Sequence, residues 1–167
     1  MQKIMFDDNF HLTRAVQEGW KNMTRRIAKS EKPRYKVGEI VAVAQCLRDM
    51  GYNPRDTKHR SGAIWGLDHT PAWTNKMFVY ASECILRIRI TGWRRERIQE
   101  ISDEDCLKEG ILAGNVEPKM YGFQNGKHKE SYFTPREAFA ALLRKMYGKR
   151  AWDDNPYVDV YEFELVK

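Results

Sequence analysis

Eight residues near the start of the chain combine the side-chain types that acid–base chemistry and anion binding require. The run Gly19–Arg26 contains a lysine, a threonine and two adjacent arginines. A lysine amine can act as a general base when burial lowers its pKa, and a threonine hydroxyl can act as a nucleophile when a neighbouring base takes its proton. Arginine side chains bind phosphate or carboxylate through paired hydrogen bonds. The run therefore predicts a site built on Lys21, Thr24, Arg25 and Arg26.

A carboxylate that could complete this site lies at the end of a short predicted helix. Ser102 followed by acidic residues is typical of a helix N-terminus, and Gly110 predicts the end of the same helix. Glu109 then falls in the last turn, where the helix dipole disfavours a negative charge. Glu109 could orient Lys21 or carry a proton. The alternative is a structural ion pair between Lys21 and Glu109, with Thr24 as an ordinary strand residue.

Net charge and aromatic residues point to a ligand that carries phosphate. The formal net charge is +6 at pH 7, which favours nucleic acid, other phosphates or an acidic partner. Tryptophans near the arginines could stack on unpaired bases. The residues predicted to contact RNA or a nucleotide are Arg25, Arg26, Arg87, Arg89, Arg94, Arg95, Trp20 and Trp73, with Arg97, Trp65 and Trp93 as further candidates. The alternatives are a solvated charged face and tryptophans packed in the core.

The other residue types argue against several classes of protein. The three cysteines are far apart and form no Cys-x-x-Cys pair, so neither a disulfide framework nor a zinc ribbon is expected. The four histidines have no ligand spacing, and no Walker-type or dinucleotide fingerprint occurs, so we predict no metal and no cofactor. No signal-peptide core and no apolar run of about 20 residues is present. We therefore expect a cytoplasmic protein without a membrane partner, and the sequence does not indicate its oligomeric state.

Hydrophobic periodicity predicts an α+β domain with a mixed, strongly curved sheet. The predicted strands are Ile4–Phe6, Glu39–Gln45, Val79–Thr91 and Tyr157–Val166, and the predicted helices start at Phe10, Ser102 and Thr134. Asn9 is the predicted cap of the first helix, and Gly19 its predicted left-handed end. Two loop-like insertions are predicted at about residues 48–75 and 114–132, with one short strand near Ala63–Leu67.

Four motifs in this order resemble those of ASCH domains, which belong to the PUA-like superfamily. The first is the Gly-x-Lys-x-x-Thr-x-Arg pattern of Gly19–Arg26, and the second is the turn and strand Lys36–Val43. The third is the helical run Ile98–Ile111, which ends in Glu-Gly, and the fourth is the closing run Trp152–Phe163 with its Asn-Pro step. The resemblance covers most of the chain outside the two insertions and is nearest to the larger ASCH-like proteins of phages and mobile elements.

This resemblance implies a PUA-like small curved β-barrel flanked by short helices, formed by one domain over residues 1–167. It also implies a role with RNA or modified nucleosides. One bacterial branch of the family hydrolyses acetylated cytidine nucleosides with a Lys, a Thr and a Glu, which would correspond to Lys21, Thr24 and Glu109. We therefore expect a domain that binds RNA or a modified nucleoside in a basic cleft. The alternatives are an amidohydrolase that removes an acyl group from a cytidine-type nucleoside, and a phage-related module that binds an acidic protein.

Overall fold

Two compact units make up the part of the chain that the structure describes. The computed structural model describes residues 1–60 and 64–167. The first unit comprises residues 1–6, 40–88 and 166–167, and the second comprises residues 7–39 and 89–165. Among the described residues, eight strands fall in two sheets and are accompanied by short helices. The predicted α+β class is confirmed, whereas the PUA-like barrel and the single-domain organisation stay predictions.

Strands and helices are interleaved along the chain. The strands are β1 (Lys3–Ile4), β2 (Met23–Ile27), β3 (Ile40–Val43), β4 (Arg87–Arg97), β5 (Leu112–Ala113), β6 (Tyr121–Asn125), β7 (His128–Tyr132) and β8 (Tyr157–Leu165). The α-helices are α1 (Leu12–Gln17), α2 (Asp103–Lys108), α3 (Pro135–Tyr147) and α4 (Arg150–Asp153).

The first unit is built on β1, β3 and the beginning of β4. β1 pairs in parallel with β3, and β3 neighbours β4. A small apolar core fills this unit: its buried members are Ala42, Leu47, Leu67, Ala72, Val79 and Cys84, and Met50, Tyr52, Trp73 and Ala81 pack against them. Trp73, predicted as a platform for base stacking, is thus partly buried against this core.

The predicted insertion at residues 48–75 lies in the first unit. Its described part contains turns and the 3-10 helices Leu67–His69 and Pro71–Trp73, but no strand. Residues 64–67 do not extend as predicted, and Ala63 lies outside the described residues. Gly66 explains the difference, because its φ is 109° and an added Cβ would lie 2.7 Å from the carbonyl oxygen of Pro54. The chain therefore turns closely past another backbone segment here.

In the second unit, β8 lies between β4 and β2. β2 and β8 are antiparallel, with Thr24 opposite Tyr161 and Arg25 opposite Val160. Residues that lie directly opposite share a face of the sheet, and successive residues of a strand alternate between faces. Thr24 and Arg26 therefore lie on one face of the sheet, and Arg25 lies on the other. This division determines which predicted site residues can meet.

β4 begins and ends later than the sequence pattern predicted. The expected strand was Val79–Thr91, but the observed strand is Arg87–Arg97. Only the first part of β4 has the expected alternation, with Ile88 and Ile90 buried and Arg89 exposed. Beyond Thr91 both faces carry polar or charged residues, so no apolar period marks the strand. Ion pairs and hydrogen bonds, described below, occupy those faces.

Helix ends follow the local capping signals, with one exception. α1 begins after His11, which has a left-handed φ of 57°, and not after the predicted cap Asn9. The side-chain amide nitrogen of Asn9 instead donates to the side-chain oxygen of Asn125, 3.0 Å away. Gly19 has a φ of 84°, as its predicted role at the helix end requires. At α2, the Ser102 hydroxyl accepts from the backbone N–H of Asp105, which confirms the predicted cap.

Residues 114–132, predicted as a loop-like insertion, contain a β-hairpin. β6 and β7 pair along their whole length, from Tyr121 opposite Tyr132 to Asn125 opposite His128. The connecting turn begins with Gly126, whose φ is 60°, in the left-handed region that two-residue hairpin turns require at this position. Gly at the first of the two central turn positions is a recognised hairpin signal, and sequence analysis overlooked it.

Loss of the α3 cap is expected to destabilise the second unit. Thr134 accepts from the N–H of Glu137, and the Glu137 carboxylate accepts from the N–H of Thr134. Thr134→Ala leaves one N–H of the first turn without its acceptor, so we expect the free energy of unfolding to fall by about 1 kcal/mol. Urea denaturation followed by circular dichroism measures the change. Thr134→Ser keeps the hydroxyl, and an equal loss in that variant would contradict the capping explanation.

Candidate functional site

The segment that carries Lys21 is held on three sides by backbone hydrogen bonds. The N–H of Lys21 donates to the carbonyl of Ala15 at 3.0 Å, at the end of α1. Next to it, the N–H of Asn22 donates to the carbonyl of Lys108 at 3.0 Å, and the carbonyl of Asn22 accepts from Phe163 at 2.9 Å. The segment is thus fixed to α1, α2 and β8, as expected for a functional loop on a rigid frame.

Lys21 and Glu109 form a buried ion pair. The sequence analysis gave such a pair as the structural alternative to a catalytic role. The Lys21 amine donates to the Glu109 Oε2 atom at 2.8 Å. It also donates to the backbone carbonyls of Glu109 at 2.6 Å and of Met23 at 2.8 Å. The two side chains are only 2% and 6% exposed. The ammonium group therefore has three oxygen acceptors within hydrogen-bond distance and almost no contact with solvent.

Gly110 provides the space through which the Lys21 side chain passes. A Cβ atom at this position would lie 3.2 Å from a terminal carbon of Leu12 and 3.6 Å from Cδ of Lys21. The φ of Gly110 is 111°, a value that L-amino acids with side chains rarely adopt. Both the space and the backbone conformation therefore favour glycine immediately after Glu109.

Arg25 binds the other oxygen of Glu109 and two further carboxylates. Its guanidinium donates to Glu109 Oε1 at 3.1 Å, to Asp105 Oδ2 at 2.8 Å and to Glu96 Oε1 at 2.7 Å. The side chain is 1% exposed. The predicted phosphate contact does not fit this placement, because three carboxylates already occupy the guanidinium away from solvent. Arg25 instead positions Glu109.

Arg94 extends this network towards the surface. It donates to Glu96, Asp105 and Glu162. Sequence analysis overlooked the roles of Asp105 and Glu96. Asp105 precedes Glu109 by four residues on a helix, a spacing that places both on one face. Glu96 follows Arg94 by two residues on β4, so their side chains lie on the same face of the strand. The helix spacing is readable from the sequence, whereas the strand spacing is not, because no apolar period marks the strand beyond Thr91.

Burial changes the proton affinities of this cluster. It lowers the pKa of the Lys21 amine. The negative charge of Glu109 raises this pKa, and the positive charges of Arg26 and Arg25 lower it. At Asp105, burial would raise the pKa, but the hydrogen bonds and charges of Arg25 and Arg94 outweigh it and hold the pKa below its usual value. A lysine with a lowered pKa is a better base near neutral pH.

Thr24 and Arg26 face the other side of β2. Thr24 is buried and lies opposite Tyr161, whose hydroxyl accepts from the backbone N–H of Arg34 at 2.9 Å. Tyr35 packs edge-on against the Tyr161 ring, with 5.2 Å between ring centres. The structure therefore brings Lys21, Glu109 and Arg25 together, while the register places Thr24 on the face opposite to Arg25.

Most arginines of the predicted basic surface are paired with carboxylates. Arg95 donates to Asp159 Oδ1 from Nε at 2.9 Å and from a terminal nitrogen at 2.8 Å. Arg89 pairs with Glu164 at 3.1 Å, and Arg94 has the partners given above. These carboxylates offset the positive charge that a phosphate would otherwise meet. The predicted surface is therefore less basic than the arginine count suggests.

The remaining predicted contacts are divided between the two units. Trp65, Trp73 and Arg87 belong to the first unit, where Trp65 is 80% exposed. Trp20 belongs to the second unit, is half-buried, and donates from its indole nitrogen to Glu18 at 3.0 Å. Within the described residues, no group of His, Cys, Asp and Glu side chains could hold a metal ion. No described helix has the length and apolar character needed to cross a bilayer.

Removing Arg25 is expected to destabilise the protein more than removing Lys21. Arg25→Met leaves three buried or half-buried carboxylates without a shared partner, and we expect a loss of about 3–5 kcal/mol in the free energy of unfolding. Lys21→Met leaves Glu109 bound to Arg25, so the expected loss is about 1–3 kcal/mol. Urea denaturation compares the two. Arg14→Met removes an exposed pair with Glu18 and is the control, with an expected change below about 0.5 kcal/mol. The reverse order of Arg25 and Lys21 would contradict this assignment.

The acid limb of the stability profile is expected to depend on Asp105. Its pKa in the folded protein lies below the ordinary value of 3.8, so its stabilising contribution is complete above that value and is lost as the pH falls through the folded pKa. Asp105→Asn should flatten the loss of stability below about pH 4, measured by urea denaturation at a series of pH values. Asp103→Asn changes an exposed acid of the same helix and should keep the wild-type slope. Identical slopes in all three proteins would refute the role of Asp105.

No protein-family model and no curated protein sequence matches the chain, but solved structures do. The crystal structure of a protein from Enterococcus faecalis V583, assigned to the family DUF984, aligns with a TM-score of 0.52 at 13% identity. The alignment covers 99% of this chain and 76% of that protein. At this identity the likeness concerns the fold alone.

Two further structures are similar at lower scores. The ASCH domain from Lactobacillus crispatus JV V101 aligns with a TM-score of 0.44 at 9% identity, covering 98% of this chain and 78% of that one. The hypothetical protein PH0355 aligns with a TM-score of 0.44 at 15% identity, covering 99% and 100%. An ASCH domain is thus among the solved structures to which this chain is similar.

Proposed function

We propose that this protein is a PUA-like, ASCH-type domain that binds RNA or a modified nucleoside at a site formed by Lys21, Thr24, Arg26 and Glu109. The observation that carries the proposal is the buried pair of Lys21 and Glu109, with 2.8 Å between the amine and the carboxylate. Burying two charges costs several kcal/mol of desolvation, which apolar residues of similar size would avoid. Buried ionisable groups with a shifted pKa, as Lys21 has, are common at functional sites.

The location of Glu109 adds to this argument. It lies at the end of α2, where the helix dipole disfavours a carboxylate. Arg25 and Lys21 each bind one of its oxygens, so the carboxylate is held in a fixed orientation in spite of the dipole. A carboxylate held in this way is suited to a ligand that donates hydrogen bonds.

The two side chains together match the edge of a cytidine-type base. A carboxylate accepts from the exocyclic amine of cytosine, and a lysine amine donates to a carbonyl oxygen of the base or of an acyl group on it. In the complex, each side chain would exchange the hydrogen bond it makes with its partner for one with the base. Arg26 would provide a cation for a phosphate if the nucleoside is part of RNA.

Hydrolysis of an acylated cytidine is the second candidate function. The lowered pKa of Lys21 favours it, because once Lys21 has passed a proton to Glu109 the neutral amine could take the proton of the Thr24 hydroxyl as that oxygen attacks the acyl carbon. The C–N bond to the base would then break, the base would leave as its amine after protonation, and water would release the acyl group from Thr24. Thr24 lies on the face of β2 opposite to Arg25. In this reaction Lys21 would therefore be the group that contacts both Thr24 and Glu109.

Titration calorimetry with cytidine and an N-acylated cytidine tests the binding function. Glu109→Gln keeps the shape of the side chain but removes its charge, so we expect the affinity for the preferred nucleoside to fall about 10- to 150-fold. Lys21→Arg keeps the positive charge but changes the geometry of the donors and should also weaken binding. Mass analysis of the same mixtures reveals any deacylated product and thereby tests the second candidate.

Two controls make the outcome of this titration specific. Lys149→Met removes an exposed cation and should bind like the wild type, and circular dichroism establishes that every variant is folded. Wild-type affinity in folded Glu109→Gln would overturn the proposed site. Binding without product would favour the binding domain, whereas product that disappears in Lys21→Arg and Glu109→Gln would favour the hydrolase.

A further inference from the structure

The connector between β2 and β3 carries lysines that do not take part in the buried network. Lys29, Lys32 and Lys36 are exposed and lie within eight residues of one another, with Glu31 as the acid among them. In the described part of the chain, none of these three lysines forms an ion pair. They differ in this respect from Arg25, Arg89, Arg94 and Arg95, whose charges are offset by carboxylates. The connector is therefore a stretch of positive charge that is available to a ligand.

Hydrogen bonds to the sheet hold the connector in place. The carbonyl of Ser30 accepts from the Arg95 guanidinium at 2.7 Å, and the N–H of Arg34 donates to the Tyr161 hydroxyl at 2.9 Å. Farther along, the N–H of Gly38 donates to the carbonyl of Ile90 at 2.7 Å. Because its backbone is anchored at both ends and in the middle, the connector presents its lysines from a defined position.

One carboxylate oxygen links this connector to an exposed tryptophan. Asp159 Oδ1 accepts from the Trp93 indole nitrogen at 3.0 Å and from Arg95 at 2.8 and 2.9 Å. Arg95 in turn holds the Ser30 carbonyl. The Trp93 ring is fixed by its nitrogen, yet the residue is 39% exposed. An oriented, accessible aromatic ring is therefore linked through Asp159 and Arg95 to the connector at Ser30.

A second exposed aromatic residue lies at the same end of the sheet. The guanidinium of Arg97 lies 3.9 Å from the centre of the Tyr157 ring, and Tyr157 is 53% exposed. The carbonyl of Tyr157 accepts from the N–H of Ala28 at 3.0 Å, one residue before Lys29. Trp93 and Arg97 are four residues apart on β4, so their side chains lie on the same face of that strand.

We propose that this surface, formed by Lys29, Lys32, Lys36, Trp93, Arg97 and Tyr157, binds single-stranded RNA. Proteins that bind single strands combine cations along the backbone path with aromatic rings on which bases stack, and both features occur together here. Unpaired bases stack on exposed rings of this kind, and lysine amines meet the phosphates of the same strand. The inference rests on the proposed function and identifies where the strand would be held outside the Lys21–Glu109 site.

Fluorescence anisotropy with a labelled oligouridylate of about 12 nucleotides tests the surface. Each phosphate contact on a single strand contributes about −0.7 to the slope of log K against log salt. Lys29→Gln, Lys32→Gln and Lys36→Gln combined should therefore reduce the slope by about 2. Trp93→Ala should weaken binding about 5- to 150-fold, while Trp93→Phe, which keeps a ring, should retain most of the affinity.

A charge-matched variant separates local contact from net charge. Lys127→Gln, Lys129→Gln and Lys149→Gln combined remove three exposed lysines elsewhere in the second unit and should leave the slope close to that of the wild type. Equal slope changes in the two triple variants would overturn the proposal. So would the absence of salt-dependent binding by the wild type, even if an acidic polypeptide were bound.

The same variants separate this inference from the proposed function. The connector triple variant should bind the free nucleoside like the wild type, since the Lys21–Glu109 site is unchanged. Nucleoside binding without any binding of oligouridylate would refute the RNA surface and leave the proposed function standing. Binding of oligouridylate that depends on Trp93, without any nucleoside affinity, would support the surface and refute the Lys21–Glu109 site.

Discussion

The carboxylate of Glu109 is the group on which the arrangement of the second unit depends. One of its oxygens binds the Lys21 amine, and the other binds the Arg25 guanidinium. Through these bonds it joins the segment before β2 to β2 itself, and through Arg25 it reaches α2 and β4. Glu109, at the end of α2, therefore connects that helix with the Lys21 segment, with β2 and, through Arg25, with β4. If that group lost its charge, Lys21 and Arg25 would be left without their shared partner, and the cluster would lose stability.

Local signals in the sequence predicted local structure well. The caps at Ser102 and Thr134 and the left-handed Gly19 follow from side-chain and backbone chemistry within a few residues. The sequence motifs also associate Lys21 with Glu109. They leave open whether the contact is functional or a structural ion pair. Less predictable were features that depend on contacts between distant segments, such as the end of β4, where paired charges replace the apolar period, and the displaced cap of α1, where Asn9 bonds to Asn125.

The positive charge of the chain is divided between two kinds of residue. Most arginines of the second unit bind carboxylates, whether they are buried, as Arg25 is, or exposed, as Arg89 is, which suits a planar group with several donors and weak hydration. Lysines lie on the connector and on the hairpin, where a compact and strongly hydrated ammonium remains in solvent. A count of basic residues cannot distinguish these two populations. The predicted arginine surface is therefore largely neutralised by carboxylates, whereas the three connector lysines form no ion pair among the described residues.

Gly110 imposes a constraint on how the sequence around Lys21 can vary. Any side chain there would meet Leu12 and the Lys21 stem, and the positive φ would remain unfavourable even if Leu12 became smaller. A compensating substitution can relieve the first difficulty but not the second. Variation around the Lys21 stem would therefore have to leave Gly110 in place and change its neighbours, such as Leu12.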